Sequence, residues 1–193
     1  MNVQDAIKWM NLFNEKIQAN KDYLSELDTP IGDGDHGGNM ARGMAAVVEE
    51  LKAKEFTKTS DVFKVVGMQL LSKVGGASGP LYGSAFVGLS KAIDEKTFAE
   101  SAQEALDMIV KRGKANQGEK TMVDVWTPII KDLEEKALDL EKIKSYVEAT
   151  KDTAATKGRA SYVGERSLGH IDPGSQSTGY LFEALLESGV SYE

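Results

Sequence analysis

The stretch Leu27-Asp-Thr-Pro-Ile-Gly-Asp-Gly-Asp-His-Gly-Gly-Asn39 sets three aspartates, one histidine and four glycines in thirteen residues. Carboxylates this close repel one another unless a cation or hydrogen-bond donors face them. What flanks the stretch decides how it is read. Upstream, Val3, Ile7, Met10, Phe13 and Ile17 recur at helical spacing, and the pattern runs to about Leu27. Leu12 lies off that stripe, so this helix is expected to touch neighbours on two sides. Pro30 and the glycines end it. Downstream, Asn39 to Lys54 is again helical, with Met40, Met44, Val47, Val48 and Leu51 inward. The loop therefore joins two helices, which removes one familiar motif. Gly32-Asp-Gly-Asp-His-Gly37 satisfies G-x-G-x-x-G, but the dinucleotide fingerprint follows a strand. A calcium EF-hand fails on its own terms. Gly37 falls at the third ligand position and Met44 where the terminal glutamate belongs.

The helical period continues outward. Ser60 is expected to cap a third helix carrying Val62, Phe63, Val66, Met68, Leu70 and Leu71, ending at Gly75-Gly76. Pro80 is expected at the first position of a fourth helix, to about Ile93. Small residues crowd that helix (Gly83, Ser84, Ala85, Gly88) and imply close contact with a neighbour. Thr97 to Arg112 reads as a fifth helix closed by Gly113. Met122 to Leu138 reads as a sixth that Pro128 should bend or delay. Asp139 is expected to cap a seventh, to about Lys157 and closed by Gly158, and Ser175 to Ser188 forms an eighth. Alternating apolar and polar runs rich in β-branched residues are missing, so no sheet is expected. Short breaks between long helices favour antiparallel neighbours in a bundle. With no repeat and no long linker, residues 1–193 are expected to form a single domain.

Composition narrows the chemistry. A chain of 193 residues, 41% hydrophobic and 27% charged, can bury a full core. Its net charge of −7 argues against broad nucleic-acid or anionic-membrane binding, so an anionic ligand needs local help. With no cysteine, thiolate metal sites and thiol nucleophiles are excluded, and a reducing cytoplasm is expected. The N-terminus MNVQDAIKWMNLF has neither a basic leader nor a long apolar core, so no signal peptide is read. No window approaches the ~20 apolar residues of a membrane span.

Taken singly, each aspartate of the opening loop reads as a turn residue or cap. Taken together before a helix N-terminus, Asp28, Asp33 and Asp35 offer hard oxygen ligands to a divalent cation. Magnesium keeps waters and completes its shell with substrate phosphates, and free N–H groups near Gly38 suit an anion. Three further loops carry polar chemistry. Val74 to Gly83 is a second glycine-rich turn, where Ala77 and Ser78 either hold a phosphate or form an ordinary helix cap. In Gly118 to Val125, Met122 either covers a flat base or packs in the core. Gly113 to Gly118 begins like a P-loop, but Glu119 replaces the lysine. Arg159, one of four arginines, can fork onto a phosphate or form a surface ion pair. Asp172-Pro-Gly174 is a turn signal. His36 and His170 show no triad or metal-pair spacing, so no hydrolase is read, and no catalytic residue stands out.

Together, IGDGDHGGNM (31–40), GGASGPLYG (75–83), GEKTMVD (118–124), KGRASYVGERSLGHIDPG (157–174) and the terminal helix resemble the L domain of dihydroxyacetone kinase. The resemblance covers essentially the whole chain, in the family's order. It implies an all-α barrel of eight antiparallel amphipathic helices, with the nucleotide site in the loops at one end. By this resemblance Asp28, Asp33 and Asp35 bind two magnesium ions bridging the nucleotide phosphates. His36, Gly37, Gly38 and Asn39 match the phosphate segment, and Ala77 and Ser78 the glycine-rich nucleotide loop. Gly118 and Met122 match residues near the adenine, Arg159 a nucleotide-contacting arginine, and Asp172, Pro173 and Gly174 the loop that closes over the nucleotide. ATP-dependent relatives carry a fused dihydroxyacetone-holding domain that is not read in this chain. The stand-alone form resembles the kinase linked to the phosphotransferase system, a phosphoenolpyruvate–glycerone phosphotransferase. There a non-exchanging ADP is phosphorylated to ATP by a phosphohistidine M subunit, and dihydroxyacetone on the K subunit accepts the phosphoryl group. A transcriptional regulator is a further partner in that family. Two alternatives stay open: the nucleotide domain of a sugar or fatty-acid kinase, and a nucleotide-sensing adaptor.

Overall fold

The computed structural model describes residues 1–192 and contains no strand among them. Its helices are α1 (Val3–Asp28), α2 (His36–Ala53), α3 (Thr59–Lys73), α4 (Ser78–Ala92), α5 (Phe98–Gly113), α6 (Val123–Glu134), α7 (Leu140–Glu148) and α8 (Pro173–Ser188). Two 3₁₀ stretches, Ala149–Asp152 and Arg159–Ser167, lie between α7 and α8. Each helix packs on its neighbour in sequence, and α8 returns to pack on α1, closing the ring into a barrel. Such a ring of up-and-down helices sends alternate connections to the same end. The α1–α2, α3–α4, α5–α6 and α7–α8 connections meet at one end, where all four line a single cleft. The α4–α5 and α6–α7 connections share a different hollow, lined by Thr97, Asp132 and Leu138 among others.

The barrel is filled from the apolar faces. Trp9 is fully buried, with Phe98 5.6 Å and Phe63 5.8 Å away in edge-on contact. Its indole N–H donates to the Leu181 carbonyl at 2.7 Å, tying α1 to α8. Buried aromatics in this geometry contribute more than their area alone. The small residues of α4 do bring helices together. A β-carbon on Gly83 would lie 2.2 Å from the Leu71 side chain, and one on Gly88 2.7 Å from the Glu104 carbonyl.

Several expected boundaries move. Thr59, not Ser60, opens α3, because the Ser60 hydroxyl and amide are drawn to the Asp94 carboxylate on the far side of α4. Met68 and Leu71 are exposed rather than inward. Ser78 opens α4, leaving Pro80 two residues further in, still within the first turn where a missing N–H costs nothing. Thr97 caps α5 in a reciprocal box with Glu100, but the helix runs through Gly113 and Lys114 takes the left-handed turn. Pro128 sits inside α6 without stopping it, and the helix ends at Glu134 instead of 138. Asp139 caps α7 as expected, but α7 stops at Glu148, well before Lys157. The residues beyond it cross the end of the barrel instead of extending a helix.

Candidate functional site

Asp28 is the last residue of α1 and is 8% exposed. Its carboxylate reaches across the turn and accepts the amides of Asp35 (3.0 Å) and His36 (3.2 Å). Asp28 thus caps α2, whereas Asp35, at the N-cap position, makes no side-chain cap bond. Gly34, at φ 75°, supplies the left-handed step that folds the loop back. One carboxylate oxygen each from Asp28, Asp33 and Asp35 falls within 4.8 Å of the others. Asp33 and Asp35 are exposed. Burial pushes the Asp28 carboxyl above the usual carboxylate range, and the charges of Asp33 and Asp35 add to this against its two amide donors. Hydrogen bonding to Asp35, and after it the Arg159 charge, hold Asp33 below that range. Arg159 Nη1 stands 3.2 Å from Asp33 Oδ2. Three hard oxygens at this spacing, two of them open to solvent, form a donor set for a small divalent cation.

His36 opens α2 and is buried between two hydroxyls. Its Nδ1 lies 3.0 Å from Ser78 Oγ on α4, and its Nε2 2.9 Å from Ser177 Oγ on α8. Burial pulls it down to about 4, so it is neutral at physiological pH. Ser177 in turn contacts the Tyr82 hydroxyl at 2.6 Å, whose own ionisation burial pushes far up. These uncharged groups bolt α2, α4 and α8 together beneath the cleft. Two first-turn amides of α2 are engaged internally, His36 with Asp28 and Gly37 with Ser25 Oγ (3.1 Å), so neither is open to an anion.

Twelve of the residues singled out from sequence line the cleft. Asp28, Asp33, Asp35, His36 and Asn39 form one wall, and Ala77 and Ser78 open α4 on another. Met122 is 4% exposed and lines the cleft as well as the core. Arg159, Asp172, Pro173 and Gly174 complete it. Gly37, Gly38 and Gly118 do not line it. Gly37 lies in the α1–α2 contact, and Gly118 is held at φ 92° with its amide on Asp124 Oδ1. A second hollow adjoins the cleft, lined by Pro80, Leu81, Ile109 and Val123 and sharing Ala77 and Met122 with it. The site therefore joins a charged half to an apolar half, as a nucleotide requires.

Sequence reasoning passed over Lys120, Lys157 and Ile31, which also line the cleft. Lys120 is 1% exposed, and nothing in its spacing separates it from a surface lysine. Ile31 packs with Ala155, Ala160 and Val163, fastening the acidic loop to the α7–α8 connection.

Asp172 caps α8, its Oδ2 accepting the Ser175 amide and hydroxyl, both at 2.8 Å. Burial still pushes its carboxyl up from 3.8 to about 6. A raised carboxyl favours folding where it is protonated and loses that advantage as pH rises through the folded value. Asp172→Asn, which keeps the cap, should therefore gain stability relative to wild type between pH 4 and pH 7, by up to about 3 kcal/mol. Urea melts of both proteins at several pH values check this; a constant difference would contradict it.

The comparisons agree with the geometry. A family model described as the DAK2 domain matches residues 30–187. The ADP-binding subunit DhaL of the PTS-dependent dihydroxyacetone kinase of Lactococcus lactis is 55% identical over 188 residues, covering 97% of this chain and 98% of that protein. The corresponding subunit of the PEP-dependent kinase of Escherichia coli is 39% identical over 196 residues, covering 93% of each. The dihydroxyacetone kinase of C. freundii, solved with AMP-PNP and Mg2+, matches at a TM-score of 0.79 with 23% identity. That match covers 95% of this chain but only 33% of the larger protein, and it establishes the common helical fold. No helix among the described residues is long and apolar enough to cross a membrane. With most of its length matched by the family model and more than half its residues shared with a relative over nearly the full length of both, the chain belongs to the DAK2 domain family.

Proposed function

We propose that this chain is the nucleotide-binding subunit of a dihydroxyacetone kinase driven by the phosphotransferase system, a phosphoenolpyruvate–glycerone phosphotransferase working in the cytoplasm. Bound ADP stays in the cleft as a cofactor. A phosphohistidine M subunit converts it to ATP, and the phosphoryl group passes to dihydroxyacetone on a K subunit. The observation that carries this reading is the convergence in one cleft of the three-carboxylate cluster, the first turn of α4 and Arg159. It is supported by relatives, matched over 98% and 93% of their own length, that are named as ADP-binding subunits of such kinases.

Asp28, Asp33 and Asp35 would hold two magnesium ions, which when bound neutralise the nucleotide phosphates and the group in transfer. The chain's own residues do the rest. His36 and Asn39 border the phosphates from α2. Ala77 and Ser78 present the first turn of α4, where backbone donors and the helix dipole favour an anion. Met122 flanks the base at the apolar side, and the adjoining hollow extends that side, whereas Gly118 stands outside both linings. Arg159, now paired with Asp33, exchanges that partner for a phosphate once cations occupy the carboxylates. Asp172, Pro173 and Gly174 close the cleft from α8. The chain supplies no general base, and proton removal from the acceptor falls to the K subunit.

Two measurements test the reading. Native mass spectrometry of the purified chain should show retained ADP. Phosphoryl transfer from labelled M subunit to dihydroxyacetone should require this chain and leave the bound ADP unexchanged with labelled nucleotide. Free equilibration of that ADP during turnover would exclude the cofactor role, and nucleotide binding without transfer would reduce the chain to a sensor.

A further inference from the structure

Lys120 is a cation placed among peptide groups. It is 1% exposed, lines the cleft, and takes a positive φ of 62°. Its ammonium donates to the carbonyls of Thr150 (2.6 Å), Thr153 (3.1 Å) and His170 (2.5 Å). An ammonium has three hydrogens, so its donors are fully used and none is left for a ligand. The placement of those carbonyls is the informative point. Thr150 and Thr153 lie where the chain leaves α7, and His170 lies where it returns to α8. One side chain thus grips both ends of the segment 154–169.

Other contacts draw the same two ends together. The Gly169 amide donates to the Lys151 carbonyl at 2.8 Å, and the Ala155 amide to Ser167 Oγ at 2.7 Å. The Asp172 amide donates to Thr150 Oγ1 at 3.1 Å. The segment is therefore a loop with a closed neck. Its body carries Arg159 to Asp33 and sets Ala160 on Ile31, over the acidic loop. Loops of this form are held by their necks and by their own packing.

We propose that Lys120 is a positioning residue that closes the neck of the 154–169 strap and so sets how long a nucleotide stays in the cleft. This rests on the cleft being the nucleotide site. Lys120 acts through the strap, which must part from the acidic loop for a ligand held beneath Arg159 to leave. Opening the neck weakens the strap's hold on a ligand already bound, so its effect falls on departure more than on entry.

The test uses the full chain with magnesium and a fluorescent ADP analogue in stopped flow. Lys120→Met should fold with native helicity and release the analogue about tenfold faster or more, with the association rate within about threefold of wild type. Lys120→Arg, which keeps charge and donors, should restore slow release. Ser167→Ala, which opens the neck without touching Lys120, should also speed release. Wild-type release by folded Lys120→Met overturns the proposal. So does failure of that variant to fold, since a latch serves the strap and not the helical frame. Unchanged release in Ser167→Ala overturns the neck as the controlling element. Amide exchange without ligand separates this from the nucleotide reading. Lys120→Met should raise exchange across residues 154–169 alone, even if wild type binds no ADP.

Discussion

Asp35→Ala should remove tight, magnesium-dependent ADP binding while leaving helical content unchanged. The side chain is exposed and makes no cap bond to α2, so the fold loses little when it goes. The cation loses a charged oxygen from a set of three within 4.8 Å. A ligand of that kind is worth several kcal/mol in a metal-clamped phosphate site, which corresponds to roughly a thousandfold or more in affinity. Asp33→Ala should behave alike, and it also frees Arg159. Asp28→Ala should differ. Its carboxylate caps α2 through two backbone amides, so that variant should lose nucleotide and also about 1–2 kcal/mol of stability. Calorimetry with ADP, read beside circular dichroism, resolves the three. Unaltered affinity in Asp35→Ala would show that the cluster holds no metal for the nucleotide. Collapsed helicity in that variant would make the carboxylate structural.

Gly37→Ala should be the most damaging single methyl group near the cleft. A β-carbon there would lie 1.7 Å from the Lys21 carbonyl oxygen, 2.6 Å from its carbon and 2.8 Å from Ser25 Oγ. The first two belong to the backbone of α1 and cannot turn aside. Relief requires α2 to move off α1, and the carboxylate of Asp28 would no longer meet the amides at the start of α2. Overpacking of well-packed sites commonly costs about 1–3 kcal/mol, and a collision with backbone belongs at or above the upper end. Gly38→Ala supplies the contrast. Its β-carbon would meet nothing within 4 Å, so the helical gain of alanine over glycine, about 0.5–1 kcal/mol, should raise stability slightly. Thermal melts of the pair check both. Equal melting temperatures would mean that α1 and α2 do not approach as closely as described.

The helical frame was readable in the chain because helix formation is local. Apolar residues at Met10, Phe13 and Ile17 recur every three to four positions, and the caps at Thr97 and Asp139 act on amides three residues away. The acidic loop was readable for the same reason, since three carboxylates within eight residues must be close whatever surrounds them. Ring closure was legible only through the family resemblance, and the exposure of Met68 and Leu71 not at all, because both depend on which helix lies alongside. Ser60 lost its expected cap to Asp94, a residue 34 positions away.

Gly37 shows the limit at the site itself. In the chain it is one more glycine of a phosphate-like loop, and only the passage of α1 behind it makes the missing side chain a packing requirement. Lys120 shows the same limit more sharply. Its three partners come from two segments 30 to 50 residues away, and no local pattern announces a buried ammonium. By itself the sequence determined the helices, their punctuation and the acidic loop, because these follow from interactions within a turn or two. The tertiary structure alone decided which carboxylate caps a helix, which amides remain free and what ties down the strap, because those partners meet only when alternate connections converge at one end of the barrel.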